Sequence, residues 1–137
     1  MGFHFSKTSD IPRYDRLIRD DGQGGLFYGN WFYGPQEWIL INNQITLNPK
    51  STSIFDKLKL TTALQRFSES RNSRKLYEFN LNTRDEKLNI LSLNLDLIKK
   101  INQSSDLTYG LEFIDNKVNS FGISTDINDF TTTEIAS

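Results

Sequence analysis

The chain has 137 residues, of which 36% are hydrophobic and 24% charged, and its formal net charge is −1. This length suffices for one domain with a sizeable core. No apolar run reaches the roughly 18 residues of a membrane-spanning helix, so that class is excluded. The near-neutral charge gives no electrostatic case for nucleic-acid binding. The absence of cysteine excludes disulfides and thiolate metal sites.

The first predicted strand runs from Phe3 to Ile11, because Phe3 and Phe5 share one face and polar residues share the other. Pro12 is expected to end this strand, since proline cannot donate to a ladder. A long irregular segment is then predicted up to about Gln36, because glycine and proline breakers recur at 22, 24, 25, 34 and 35. Loops of this length are usually functional.

Two further strands are predicted in the middle of the chain, at Glu37–Leu47 and at about Lys57–Ser70, both with apolar residues at alternate positions. A polar turn at 48–51 separates them. The second of these strands has partial helical spacing near Leu58, but the β-branched pair Thr61-Thr62 favours a strand. A charged connection is predicted to follow it, containing Glu69, Arg71, Arg74, Lys75, Arg84, Asp85, Glu86 and Lys87.

The clearest alternation lies in the fourth predicted strand, Leu88–Ile98, where four leucines at 91, 93, 95 and 97 alternate with Ser92, Asn94 and Asp96. A short turn at 102–105 leads to a fifth strand from Leu107 to about Val118. The polar tail from Asn128 to Ser137 is predicted to be a loop.

Two environments fit this pattern of about five strands. In a soluble sheet the leucines face a core, whereas in an outer-membrane barrel they face lipid. The strands have about the 9 to 11 residues that a tilted membrane strand needs. Predicted long connections alternate with short ones, as in membrane barrels. Aromatic residues at one end are consistent with an interfacial girdle, namely Tyr28, Trp31, Phe32, Tyr33 and Trp38.

Several runs, taken in order, resemble the barrel of TonB-dependent outer-membrane receptors. They are TSDIPRYDRL at 8–17, WFYGPQ at 31–36, LQRFSESR at 64–71, RDEK at 84–87 leading into LSLNLD at 91–96, and YGLEF at 109–113. No single run is diagnostic, but their order and spacing fit one family across nearly the whole chain.

The resemblance implies an all-β fold in which antiparallel up-and-down strands form part of a transmembrane β-barrel. It implies the outer membrane of a Gram-negative bacterium as location and lipid as a partner. It also implies import of an iron chelate, haem, cobalamin or glycan without covalent chemistry, energised by the TonB system. No enzyme activity, cofactor or metal site is expected.

The complete family combines a 22-stranded barrel with an N-terminal plug, and about five strands are too few to close a barrel. We therefore expect residues 1–137 to be a fragment of the barrel domain, not competent for transport alone. Open strand edges in lipid would cost several kcal/mol for each unpaired backbone group.

Five residues of the presumed extracellular loop are candidate ligand contacts: Arg13, Tyr14, Arg16, Trp31 and Tyr33. Arginine would bind anionic chelates and the aromatic rings would bind planar groups. A structural role, as girdle and loop-folding contacts, is the favoured alternative. A cross-strand charge ladder is a second expectation, formed by Glu69, Arg71, Arg84 and Glu86.

The competing interpretation is a soluble β-sandwich or small-barrel binding module. Trp31, Tyr33 and Trp38 would then form a carbohydrate platform, and a second sheet would cover the leucine face. His4 is the only histidine, and no nucleophile-base-acid set accompanies it. An enzyme therefore has no supporting constellation.

Overall fold

The computed structural model describes residues 1–50 and 54–136. The chain is all-β, with 74% of residues in strands and 3% in helix. The elements are β1 (Gly2–Lys7), β2 (Ile11–Pro12), α1 (Tyr14–Leu17), β3 (Tyr28–Leu47), β4 (Lys57–Lys75), β5 (Asn80–Asn102), β6 (Ser105–Asp126) and β7 (Thr132–Ile135). No helix among the described residues is long and apolar enough to span a membrane.

The strands form one antiparallel up-and-down sheet in the order β1-β3-β4-β5-β6-β7, and β2 also pairs with β3. The sheet is not closed on itself. β2 places Ile11 opposite Tyr33 and Pro12 opposite Phe32. At the other edge, β7 pairs with β6 from Gly122↔Ile135 to Thr125↔Thr132. Sequence-adjacent long strands are therefore neighbours, as short antiparallel connections require.

The alternating pattern correctly predicted the long strands. β4 begins at Lys57 as expected, which confirms strand over helix for this segment. The leucine alternation lies in β5, and the turn that follows is at 103–104. Each of the four long strands extends well past its predicted segment, to 20, 19, 23 and 22 residues.

The irregular segment predicted up to Gln36 is wrong over its last third, because β3 already begins at Tyr28. The breaker pair Gly34-Pro35 lies inside this strand. Gly34 is buried, and a side chain there would meet the Ser70 hydroxyl of β4. Pairing with β2 on one side and close approach of β4 on the other outweigh the local preference for a turn.

The charged connection predicted after Ser70 is also wrong. β4 continues to Lys75 and β5 starts at Asn80, so the turn spans only 76–79. The backbone of both strand ends is hydrogen-bonded in the sheet. This pairing uses backbone groups only, so charged side chains do not prevent it. The connection around Pro49 is longer, spanning 48–56, of which 51–53 lie outside the described residues. The predicted contrast between long and short connections therefore holds for the first connection, before β3, and the fourth, at 103–104, but is reversed for the second and third.

Both ends of the chain differ from expectation. The first strand already ends at Lys7, and Pro12 is the last residue of a separate short strand, β2, in which it pairs with Phe32. The predicted loop at the end of the chain contains β7, which pairs with β6. Its alternating residues Thr132–Ile135 gave too short a signal to be separated from a polar loop.

The chain divides into two compact units, and each long strand contributes to both. Unit 1 comprises Met1–His4, Ile39–Gln65 and Asn89–Lys117, and unit 2 comprises Phe5–Trp38, Arg66–Leu88 and Val118–Ser137. All seven arginines of the chain belong to unit 2. In unit 1, the alternate apolar residues of β5 from Leu91 to Leu97 form a set that contains no charged residue.

Neither unit has a hydrophobic core, because no apolar side chain among the described residues is buried. Leu91 and Leu93 are 42% and 38% exposed, and on β6 Leu111 is 74% exposed. The accessible surface of the chain is 9930 Å². A folded monomer of this mass would expose only about 7,300 Å². The apolar sets of these strands therefore need a cover that the sheet itself does not supply.

We predict that Gly34→Ala destabilises the sheet by about 1 to 3 kcal/mol. The new methyl group would displace the Ser70 hydroxyl, which accepts a hydrogen bond from the buried Asn72 at 3.0 Å. Urea unfolding of the chain measures the loss.

The control is a double-mutant cycle with Ser70→Ala, which removes the atom that the methyl group meets. We expect Gly34→Ala to cost much less in that background. Equal costs in both backgrounds would show that Ser70 does not restrict position 34.

Candidate functional site

The segment before α1 is fastened to the start of β3. The Arg13 backbone N–H donates to the Trp31 carbonyl at 3.0 Å, which continues the β2–β3 register by one residue. Trp31 and Tyr33 are alternate residues of β3, so their rings project on the same side. The pairing therefore places the Arg13 side chain against both rings.

Arg13, Trp31 and Tyr33 form a compact aromatic–cation cluster in unit 2. Arg13 Nη1 donates to the Tyr33 hydroxyl at 2.9 Å. Its guanidinium carbon lies 5.2 Å from the Trp31 ring centroid and 5.6 Å from that of Tyr33. The two rings meet edge to face, with centroids 5.1 Å apart. Each contact is within the range of favourable cation–π and aromatic pairs.

Asp15 completes the cluster from α1. Arg13 Nε and Nη2 donate to its two carboxylate oxygens, both at 2.7 Å. These hydrogen bonds hold the pKa of Asp15 below its ordinary value and raise the pKa of Arg13. A bidentate pair fixes the orientation of both partners. The Arg13 charge is thereby compensated within the chain, which weakens it as a receptor for an anionic ligand.

The structure brings together three of the five predicted site residues. Arg16 reaches only the cluster's edge, with Nε 3.8 Å from Asp15. Tyr14 is 72% exposed and begins α1. Asp15, which belongs to the same predicted loop, joins the three residues as the carboxylate partner of Arg13. Arg13 packs against the rings of both Trp31 and Tyr33, which reduces the aromatic surface that they offer to a sugar.

The predicted charge ladder is present in part. Arg71 Nη2 lies 3.2 Å from Glu69 of its own strand and 3.2 Å from Glu86 of β5. Gln36 of β3 donates to Glu69 at 3.0 Å, which extends the row across three strands. Arg84 is not a member, because its Nε donates to the Ala136 carbonyl at 3.3 Å. Each exposed pair of this kind contributes about 0.2 to 1 kcal/mol.

A second polar row in unit 2 is centred on Asn72, the one polar side chain that is buried among the described residues. Its amide donates to Ser70 at 3.0 Å, and its carbonyl oxygen accepts from the Thr83 hydroxyl at 2.7 Å. The network satisfies the buried amide and joins β4 to β5. Polar side chains thus hold the strands of unit 2 together, a role that apolar side chains have in a soluble sheet.

The turns of unit 2 are joined by backbone hydrogen bonds. The Leu76 N–H donates to the Phe27 carbonyl and the Ile127 N–H to that of Phe79, both at 3.0 Å. The Phe27 ring lies between two cations, 5.0 Å from the Arg19 guanidinium and 5.8 Å from the Lys75 ammonium. These contacts connect loops that are distant in sequence.

The described residues include no cluster of side chains suited to a metal ion. Within 1–50 and 54–136, no group of three or more His, Cys, Asp or Glu side chains could hold a metal ion. The Asp21 carboxylate instead accepts the backbone N–H groups of Gln23 and Gly25, at 2.8 and 3.0 Å. These bonds lower the pKa of Asp21 and stabilise the turn.

Comparison with known proteins yields no relative. No protein-family model matches the sequence. No curated protein and no solved structure is significantly similar to it. What the chain does must therefore be argued from its own residues.

We predict a depressed pKa for Asp15 that depends on Arg13. The folded pKa lies below the unfolded value of about 3.9, so the pair stabilises the fold above that pH and its contribution is lost as the pH falls through the folded pKa. In Arg13→Gln the Asp15 pKa should return towards about 3.9. Carboxyl carbon NMR titration measures it.

The matched control is Arg16→Gln, which removes the cation at 3.8 Å and leaves the bidentate pair. A smaller change in the Asp15 pKa is expected. Equal changes in the two variants would contradict the assignment of Arg13 as the dominant partner.

Proposed function

We propose that the strands of unit 1 form part of the lipid-facing wall of a bacterial outer-membrane β-barrel, and that the complete barrel is a receptor of the TonB-dependent type. Such a receptor would import a scarce nutrient: an iron chelate, haem, cobalamin or a glycan. These strands would supply wall and loops, and transport would require the rest of the barrel.

The observation that supports the membrane placement is an amphipathic sheet without a hydrophobic core. Leu91, Leu93, Leu95 and Leu97 occupy alternate positions of β5, yet no described apolar side chain is buried. Burying such a side chain is worth about 1.5 to 3 kcal/mol, so leaving the whole set in water would forfeit the main driving force for folding. Lipid chains remove the apolar set from water without a second protein layer.

Strand length agrees with this placement. Within unit 1 the segments of the four long strands are 39–47, 57–65, 89–102 and 105–117. A tilted transmembrane strand needs about 9 to 11 residues. The first two segments have nine residues and the other two have 14 and 13. Apolar residues recur at alternate positions in each of them, with Asn43 interrupting the set of the first segment.

Unit 2 has the composition of a water-exposed region. The part of β5 from Arg84 to Lys87 carries four consecutive charged residues, so both faces of the strand are charged there. The ladder of Glu69, Arg71 and Glu86 adds ion pairs beside them. Such residues are expensive in hydrocarbon, so unit 2 is assigned to the aqueous side.

The receptor type rests on the resemblance of the ordered sequence runs alone. The open sheet is compatible with it, because further strands would pair with the free edges and remove unpaired backbone groups from lipid. The Arg13 cluster fits a structural role, fastening α1 to β3. Tyr14, which is 72% exposed, and Arg16, at the edge of the cluster, are the predicted site residues left to contact a ligand.

The soluble alternative has less support. A β-sandwich needs a second sheet against the leucines, and the described strands all belong to one sheet. Its carbohydrate platform would use Trp31, Tyr33 and Trp38, and Arg13 packs against the first two of these rings.

Spin labels test the membrane placement. The chain has no cysteine, so single cysteines can be introduced at 91, 92, 93, 94 and 95 and labelled with a nitroxide after reconstitution in vesicles. We expect collisions with oxygen, which concentrates in lipid, at 91, 93 and 95. Collisions with a water-soluble nickel chelate are expected at 92 and 94.

Labels at 84–87, in the same strand but in unit 2, are the matched control. Both faces should collide with the nickel chelate there. If labels at 91, 93 and 95 were shielded from both reagents, a protein layer would cover the leucines and the membrane placement would fail.

The receptor type needs a separate experiment in a bacterium that carries the gene. Deleting the gene should reduce TonB-energised uptake of one nutrient, and restoring the gene should recover it. Unchanged uptake of iron chelates, haem, cobalamin and glycans would reject the receptor while leaving the membrane placement intact.

A further inference from the structure

A polar depression lies beside the β6–β7 turn of unit 2, away from the Arg13 cluster. It has a volume of about 340 Å³, within the usual range for small-molecule sites of about 300 to 1,000 Å³. Its lining consists of Asn80, Ser124, Asp126, Thr131, Thr133 and Ile135. None of these residues was singled out by the sequence.

Strand pairing aligns these side chains on one face. Ser124 lies opposite Thr133, and the same register places Asp126 opposite Thr131, whose carbonyl accepts the Asp126 N–H at 2.9 Å. Opposite residues of an antiparallel pair project to the same side. Asn80, the first residue of β5, adds an amide.

The chemistry of the lining is that of a receptor for hydroxyl groups. The hydroxyls of Ser124 and Thr133 and the amide of Asn80 each offer both a donor and an acceptor. The Asp126 carboxylate accepts the Asn128 N–H through Oδ1 at 2.8 Å and offers its remaining lone pairs as acceptors. Among the residues that the structure describes, no basic side chain lines the depression. Because Asp126 would repel an anion, the arrangement favours a neutral ligand with many hydroxyls.

An exposed aromatic residue at the turn is the chain neighbour of a lining residue, Thr131. Phe130 precedes Thr131, is 77% exposed, and has a φ of 61°. A bulky residue at positive φ is an outlier that surrounding contacts must enforce. Here the Phe130 N–H donates to the Asp126 carbonyl at 2.9 Å, and Asp129 accepts from the Thr131 N–H at 2.9 Å.

We propose that this depression binds a neutral oligosaccharide, with Phe130 stacking on a sugar ring and Asn80, Asp126 and Thr133 hydrogen-bonding its hydroxyls. The apolar ring face of a sugar matches an exposed aromatic ring, and its hydroxyls match the mixed donors and acceptors. The site belongs to unit 2 alone and does not depend on whether unit 1 faces lipid.

Isothermal titration calorimetry on the full chain in lauryldimethylamine oxide tests the site, since this detergent carries no sugar. The probes are maltohexaose, cellohexaose and mannohexaose, with hexagalacturonate as the anionic counterpart. We expect saturable binding of at least one neutral probe, and at least tenfold weaker binding of hexagalacturonate. No binding of any neutral probe, or tighter binding of the anionic probe, would overturn the proposal.

Two variants with a matched control locate the site. Phe130→Asn removes the ring and keeps a residue that tolerates positive φ, and we expect Kd to rise at least tenfold, about 1.4 kcal/mol. Tyr77→Asn makes the same kind of change at the exposed Tyr77, whose φ is 69°, and should leave Kd unchanged. Equal losses in both variants would overturn the proposal.

The double variant Asn80→Ala/Thr133→Val removes hydrogen-bonding groups without touching the turn, and it should also raise Kd at least tenfold. Circular dichroism verifies that each variant keeps its strands. Folded variants that bind as tightly as the parent chain would overturn the assignment of these residues. The spin-label pattern of unit 1 is expected to be the same in all of them, so the two proposals fail independently.

Discussion

The structure depends on one constraint: the backbone of the long strands is paired, but their apolar side chains are not covered. β3 to β6 run for 19 to 23 residues each in a single open sheet. Hydrogen bonding to neighbours satisfies the ladders inside the sheet. It does not bury the side chains of residues such as Leu93 and Leu111, which are 38% and 74% exposed. A sheet of this kind needs a partner phase or a partner surface, and the lipid proposal supplies the former.

Polar contacts take the place of a core in unit 2. The buried Asn72 amide joins β4 to β5 through Thr83, and Arg71 joins the same strands through Glu86. Interactions between exposed charges contribute little individually. Their value here lies in register, because a one-residue slip of β5 would separate both pairs at once.

The two polar sites of unit 2 differ in what they leave free. In the Arg13 cluster the guanidinium donates hydrogen bonds to Asp15 and to Tyr33. Its charge is therefore paired, and the two rings are contacted, within the chain itself. At the β6–β7 turn, the ring of Phe130 is held out into solvent by a strained backbone. Internal satisfaction suits a fastening element, whereas an exposed ring beside polar groups suits a ligand site.

The sequence by itself determined the strand class, because period-two alternation in segments such as Leu91–Leu97 is a local property of the chain. It also identified Arg13, Trp31 and Tyr33 as candidate ligand contacts, because arginine binds anionic groups and aromatic rings bind planar groups. Only the tertiary structure decided where strands end: pairing carried β3 through Gly34-Pro35 and β4 through its charged residues. The polar depression likewise required β7 to pair with β6, since its lining is assembled from three strands and a turn that no single window of sequence contains.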